Sequence, residues 1–130
     1  MKRHTAQWVS KAEEDMAAAR ALAAQTPPPR NAVCFHCQQA AEKYLKALLQ
    51  ESGAVVPRIH DMEDLLDLLL PYDTTLGALR RAVASLTKYA VEYRYPGMRA
   101  TTRQMQSTLR IAERVRAALR TRLGLRRDDA

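Results

Sequence analysis

Apolar positions recur in steps of three and four along five stretches of the chain. From Thr5 to Gln25 the positions Val9, Ala12, Met16, Ala19 and Ala23 follow this spacing, with Trp8 and Leu22 widening the stripe, as in an amphipathic helix. Thr26 and the run Pro27-Pro28-Pro29 end it, because consecutive prolines lack amide donors and push each preceding residue out of helical geometry. A second helix is expected from about Arg30 to Ser52, with Val33, Cys37, Ala40, Tyr44, Leu45 and Leu48 inward and Gly53 placed to stop it. After a connector containing Pro57, residues Met62, Leu65, Leu66 and Leu69 mark a short helix ended by Pro71. Asp61, Glu63 and Asp64 sit in its first turn, where carboxylates favour the helix dipole.

The fourth stretch has the most regular pattern: Leu76, Leu79, Val83, Leu86, Ala90 and Tyr93 form a seam that Tyr95, Pro96 and Gly97 break. The last helix, from about Thr101 to Leu123, points Met105, Leu109, Ala112, Val115, Leu119 and Leu123 inward, and Gly124 can cap it. No stretch alternates apolar and polar residues as a half-buried strand would. The spacing predicts an all-α fold, an up-and-down four-helix bundle with an additional short helix at 61–70 packed across it.

With 130 residues, one domain is expected, with a core at about 5–124 and a basic C-terminal end at 125–130. No apolar run is long enough to cross a bilayer, and Met1 to Trp8 lacks the apolar stretch of a signal peptide, so a cytoplasmic protein without membrane contact is expected. Charge changes the picture more than length does. Residues 1–98 hold 12 basic and 11 acidic side chains, whereas nine Arg lie between Arg99 and Arg127 with Glu113 the only acid among them. The net +7 is therefore C-terminal. Such a field attracts polyanions, and it is also what a solvated Arg-rich helix face produces. The lack of aromatics from 97 to 130 argues against base stacking there.

Cys34 and Cys37 form a C-x-x-C, but no third Cys and only His4, His36 and His60 accompany them. That composition does not assemble a zinc site, and helix-packing residues are the expectation. No metal and no cofactor is implied. On the polar side of the second helix, His36, Gln39, Lys43, Lys46 and Gln50 share a face. They could line a groove for an anion or form an ordinary wet face. The end of the fourth stretch gathers Tyr89, Tyr93, Arg94 and Tyr95. Guanidinium flanked by rings suits phosphate or carboxylate binding but also suits helix capping. Glycine-rich phosphate loops, nucleophile elbows and H-E-x-x-H are absent.

Several blocks resemble the HEPN domain family of prokaryotes. They are Trp8-Val9-x-Lys11-Ala12-Glu13-x-Asp15, the run from Cys34 through Gln38-Gln39-Ala40-Ala41-Glu42-Lys43-x-Leu45-Lys46-Ala47 to Leu49, then His60-Asp61-Met62 and Tyr93-Arg94-Tyr95-Pro96. The resemblance runs in order over residues 5–124. It implies a helical bundle that forms a homodimer and is often encoded with a minimal nucleotidyltransferase as a toxin–antitoxin pair. Many relatives cut RNA without metal, using an Arg and a His four to six residues apart near the start of a late helix. Here Tyr89 to Arg110 contains no His, and the only string of that spacing is Arg30 to His36, on the second helix. The resemblance thus implies a nucleotide-binding or nucleotidyltransferase-partner-binding component, with His36, Gln39, Lys43, Lys46, His60, Tyr93, Arg94 and Tyr95 as its binding residues. The alternatives are a ribonuclease toxin using Arg30 and His36, or RNA binding through the Arg-rich last helix.

Overall fold

The computed structural model describes residues 1–127; the last three positions of the basic C-terminal end lie outside the described residues. Helices α1 (Arg3–Ala23), α2 (Arg30–Glu51) and α3 (Met62–Leu69) appear where the apolar spacing places them. After a 3₁₀ helix at Thr74–Leu79 come α4 (Arg80–Ala84), α5 (Lys88–Val91), a 3₁₀ turn at Glu92–Arg94 and α6 (Thr102–Arg122). Among the described residues there is no strand, and the fold is an all-α bundle.

The second helix is its spine. Thirteen of its 22 residues are buried. The end nearer Glu51 packs Tyr44, Leu45, Leu48 and Leu49 against Val9 and Ala12 of α1, all of α3's inward side, and Val115 and Leu119 of α6. Its other end packs Val33, Cys34, Cys37 and Ala40 against Met16, Ala19, Tyr89, Met105 and Ala112. Each fully buried leucine contributes about 2 kcal/mol, so the eight-residue α3 is held mainly by Leu65, Leu66 and Leu69. Asp61 caps it by accepting from the Asp64 amide.

The fourth segment keeps its predicted inward face but is not one helix. Leu76, Leu79, Val83, Leu86 and Ala90 are all buried, yet the backbone is divided by a break at 85–87. Two hydroxyls reside there. Ser85 Oγ donates to Ala82 O at 2.6 Å, and Thr87 Oγ1 accepts from Met62 N at 3.1 Å, so Thr87 is drawn to the open end of α3. In contrast, α6 begins at a complete capping box: Thr101 Oγ1 accepts from Gln104 N, and Gln104 Oε1 accepts from Thr101 N.

Candidate functional site

The polar side of α2 is occupied by carboxylates from within the bundle. Asp15, buried on α1, lies 2.8 Å from His36 Nδ1 through one oxygen and accepts from Lys43 Nζ at 2.5 Å through the other. One turn further, buried Glu42 accepts from Gln38 Nε2 at 3.0 Å and Lys46 Nζ at 3.2 Å. His60 Nδ1 sits 3.0 and 3.1 Å from its two oxygens. Gln39 Nε2 donates to Gln38 Oε1 at 2.7 Å, and Lys46 Nζ lies 5.6 Å from the centre of the Trp8 ring. The predicted stripe of His36, Gln39, Lys43 and Lys46 is therefore not an open anion groove. Lys46 is buried and neutralised, Lys43 is neutralised by Asp15, and their interactions already pair the charge that a ligand would need.

Arg30 and His36 do not converge. Six positions apart on a helix of 3.6 residues per turn, they leave α2 on different sides. Arg30 Nε donates to Ala100 O at 2.6 Å, while His36 faces Asp15. Beside Arg30, Asn31 clasps the loop that precedes α6. Its Nδ2 donates to Met98 O at 2.7 Å and Tyr93 O at 3.1 Å, and its Oδ1 accepts from Ala100 N at 2.7 Å. Asn31 and Asp15 were not singled out from the sequence. Asp15 stands within the first family-like block, a signal that was available, whereas the partners of Asn31 are more than sixty residues away and leave no local trace.

Arg94 is different from these cations. It is exposed, its guanidinium carbon lies 5.6 Å from the centre of the Phe35 ring, and among the described residues it pairs with no carboxylate. Phe35 in turn meets the His36 ring edge-on at 5.5 Å. Arg94, Tyr95 and Val91 line a pocket of about 360 Å³, with Tyr95 64% and Val91 52% exposed. Val91 also borders a groove of about 520 Å³ that holds His60, Asp61, Thr87 and Glu92. The side chain of His60 is largely exposed there, so the ring is tethered to Glu42 by one nitrogen and open on its other side. Tyr93 is packed instead: its ring lies 4.8 Å from that of Tyr89, and its hydroxyl accepts from Gln104 Nε2 at 3.3 Å. Of the predicted binding residues, the fold thus leaves Arg94, Tyr95 and His60 exposed, lining two pockets that share Val91, and ties His36, Gln39, Lys43 and Lys46 into networks with Asp15, Gln38 and Glu42.

The C-terminal arginines separate in the same way. Arg116 and Arg120 are buried, with Arg116 forked onto Glu13 and Arg120 Nη1 donating to the Tyr44 hydroxyl at 3.1 Å. Arg116 Nη1 and Arg120 Nε also donate to the carbonyls of Arg127 and Arg126 at 2.7 and 2.6 Å. Arg122 reaches Asp73 at 2.8 Å. Arg99, Arg103 and Arg110 face solvent. The net positive charge of the sequence is thus partly an internal bundle cement.

Both cysteines are buried thiols. Burial pushes Cys34 up and Cys37 up to about 12, so neither is a nucleophile at neutral pH. Among the described residues, no His, Cys, Asp and Glu side chains are grouped as metal ligands would be, and no helix is long and apolar enough to cross a membrane.

The HEPN domain family matches the chain over residues 5–122. The crystal structure of TT1696 from Thermus thermophilus superposes with a TM-score of 0.79 at 26% identity, covering 92% of this chain and 98% of that one. No curated protein matches at a significant level.

Proposed function

The chain belongs to the HEPN domain family, and on that premise we propose that it is a non-catalytic component that binds a nucleotide, or a nucleotidyltransferase partner, at the Arg94 end of the bundle. Its setting would be a two-gene toxin–antitoxin module in the cytoplasm, and the whole chain would form one domain that assembles as a homodimer. The observation that carries this reading is the state of Arg94. Every other cation among the predicted binding residues is already neutralised, whereas the Arg94 guanidinium lies over the Phe35 ring, 5.6 Å from its centre, and pairs with no carboxylate among the described residues. A guanidinium over a ring face keeps its edge donors available for the oxygens of a phosphate or carboxylate. Tyr95 offers a ring face beside it, and the groove past Val91 leads to His60.

Calorimetric titration with ATP tests the nucleotide branch. Saturable binding that weakens at least about tenfold in Arg94→Ala supports it, that factor being the worth of one charge-assisted contact. No heat at millimolar ATP, or equal affinity in Arg94→Ala, overturns it. For the partner branch, co-expression with a minimal nucleotidyltransferase should give a complex that Arg94→Ala weakens.

One observation favours a second reading, ribonuclease activity. Asp15 holds Nδ1 of His36 as an orienting carboxylate does, which suits a proton-transferring imidazole. Arg94 reaches the neighbouring Phe35 ring, so it, rather than Arg30, would supply the phosphate-stabilising charge. RNA cleavage without metal that disappears in His36→Ala would establish this reading, and full activity in that variant would remove it.

A further inference from the structure

A further pocket lies at the break in the fourth segment. It has a volume of about 220 Å³ and lies between the 85–89 stretch and the first turns of α6. Lys88 and Arg103 supply two cations to its lining, Ser107 and Gln104 supply neutral donors, and Tyr89 and Ile111 form its apolar wall. No carboxylate lines it.

The donors are available. Among the described residues, Arg103 and Ser107 have no hydrogen-bond or ion-pair partner. Lys88 Nζ lies over the Tyr89 ring at 5.4 Å without an acidic partner. Gln104 Nε2 uses one hydrogen on the Tyr93 hydroxyl and retains a second. Arg103, Ser107 and Arg110 follow one another at i, i+4 and i+7, so they share a face of α6. Arg81 and Arg110 are exposed and unpaired nearby in sequence on the two helices concerned. Of the nearby acids, Glu113 of α6 is forked onto Arg20, Asp67 and Glu63 of α3 hold Arg80, and Glu92, four positions after Lys88, lines the neighbouring groove rather than this pocket.

We propose that this pocket, built by Lys88, Arg103, Gln104 and Ser107 at the broken fourth segment, binds a phosphate group. Two cations and neutral donors in one lining without a carboxylate match the charge and acceptor pattern of a phosphate dianion. The cations of this face draw the anion in from solution, an attraction that salt weakens. The source of the group is either free inorganic phosphate or the terminal phosphate of a nucleotide. Lys88 also lines the His60 groove, but Arg103 and Ser107 line neither that groove nor the Arg94 pocket, so variants at these two positions test the site apart from the proposed function.

Titration with inorganic phosphate, followed by phosphorus NMR line broadening and calorimetry, tests it. The parent chain, Arg103→Gln, Ser107→Ala and Arg94→Ala are compared, with helical circular dichroism and thermal midpoint showing that each variant is folded. Saturable phosphate binding is expected, weakened about tenfold in Arg103→Gln and less in Ser107→Ala. No saturation by about 10 mM phosphate, or equal affinity in folded Arg103→Gln, overturns the proposal. A loss confined to Arg94→Ala also overturns it, placing the anion at the other pocket. AMP and adenosine separate the sources. Arg103-dependent binding of AMP tighter than that of phosphate, with adenosine silent at Arg103, identifies a nucleotide phosphate; no gain over phosphate identifies the free ion.

Discussion

Arg116 and Glu13, 103 positions apart, meet in a two-bond fork that joins the last helix to the first. Arg116 Nε and Nη2 each donate to a different oxygen of Glu13 at 2.8 Å, and the Tyr44 hydroxyl donates to the same carboxylate at 2.6 Å. Arg120 lies 3.5 Å from it as well. One carboxylate therefore serves two buried guanidiniums, which also donate to the carbonyls of Arg127 and Arg126. Glu13→Ala should destabilise the fold by about 3 kcal/mol, since it strands buried charge. Glu113→Ala, which removes the half-exposed partner of Arg20, should cost under about 1 kcal/mol. Urea unfolding of the two variants checks the contrast, and equal losses would deny the buried cluster its role.

The same carboxylate sets an acid limit. Burial pushes Glu13 up, but the hydrogen bonds from Arg116 and Tyr44 outweigh it and hold the carboxyl below its ordinary value of 4.5. A carboxyl lowered in the folded state contributes stability that is fully present above the unfolded value and is lost as pH falls through the folded one. Unfolding free energy should therefore hold its contribution from Glu13 down to about pH 5 and lose it below about pH 4. Glu13→Gln should show a shallower acid slope than the parent chain. Some slope should persist, because Asp73, held low by Thr75 and Arg122, and Glu51, held low by the Lys2 amide, titrate in the same direction.

The two thiols should be silent until the bundle opens. Burial raises both, Cys37 to about 12, and neither side chain reaches solvent. A disulfide-exchange reagent at about pH 8 should react at the rate of unfolding and immediately in denaturant. Rapid labelling of the native protein would show that the α2–α6 contact breathes.

Most of the fold was legible because apolar periodicity survives local irregularity. Leu76, Leu79, Val83, Leu86 and Ala90 are inward whether the backbone between them is 3₁₀, α or turn. The break itself was not legible, since the event that holds Thr87 is a hydrogen bond from the amide of Met62, 25 positions earlier. The candidate site suffered from the same limit. A helical wheel places His36, Lys43 and Lys46 together correctly, but it cannot show that Asp15 arrives from α1 or that Trp8 covers Lys46. What a sequence reports is the face on which a cation stands. Whether that cation is available depends on acids brought from elsewhere.

Asn31 offers a way to disturb the Arg94 end without touching it. Its amide makes three contacts to the 93–100 loop, which carries both Arg94 and Tyr95. Asn31→Ala should cost about 1 to 2 kcal/mol of stability, the scale of a small set of part-buried hydrogen bonds. It should also weaken ATP binding several-fold, since an ordered pocket binds with less loss of conformational freedom. Calorimetry on Asn31→Ala checks this. Unchanged affinity would mean that Arg94 and Phe35 set the pocket without help from the loop.

Lys46 and Glu42 decide whether the most family-like block is a binding surface or a structural element. Both side chains are almost wholly buried, and Glu42 also serves Gln38 and His60. Lys46→Met removes one charge and leaves the other buried, so it should destabilise by about 3 kcal/mol. Pairing it with Glu42→Gln removes both charges together, and the double variant should recover part of that loss, with a coupling of about 1 kcal/mol or more. Chemical denaturation of the two single variants and the double variant measures this directly. A ligand-binding lysine predicts the reverse: a stable Lys46→Met protein whose nucleotide affinity falls. The observed burial favours the first outcome, because a charge held 3.2 Å from its partner beneath an indole ring has no open side from which a phosphate could approach.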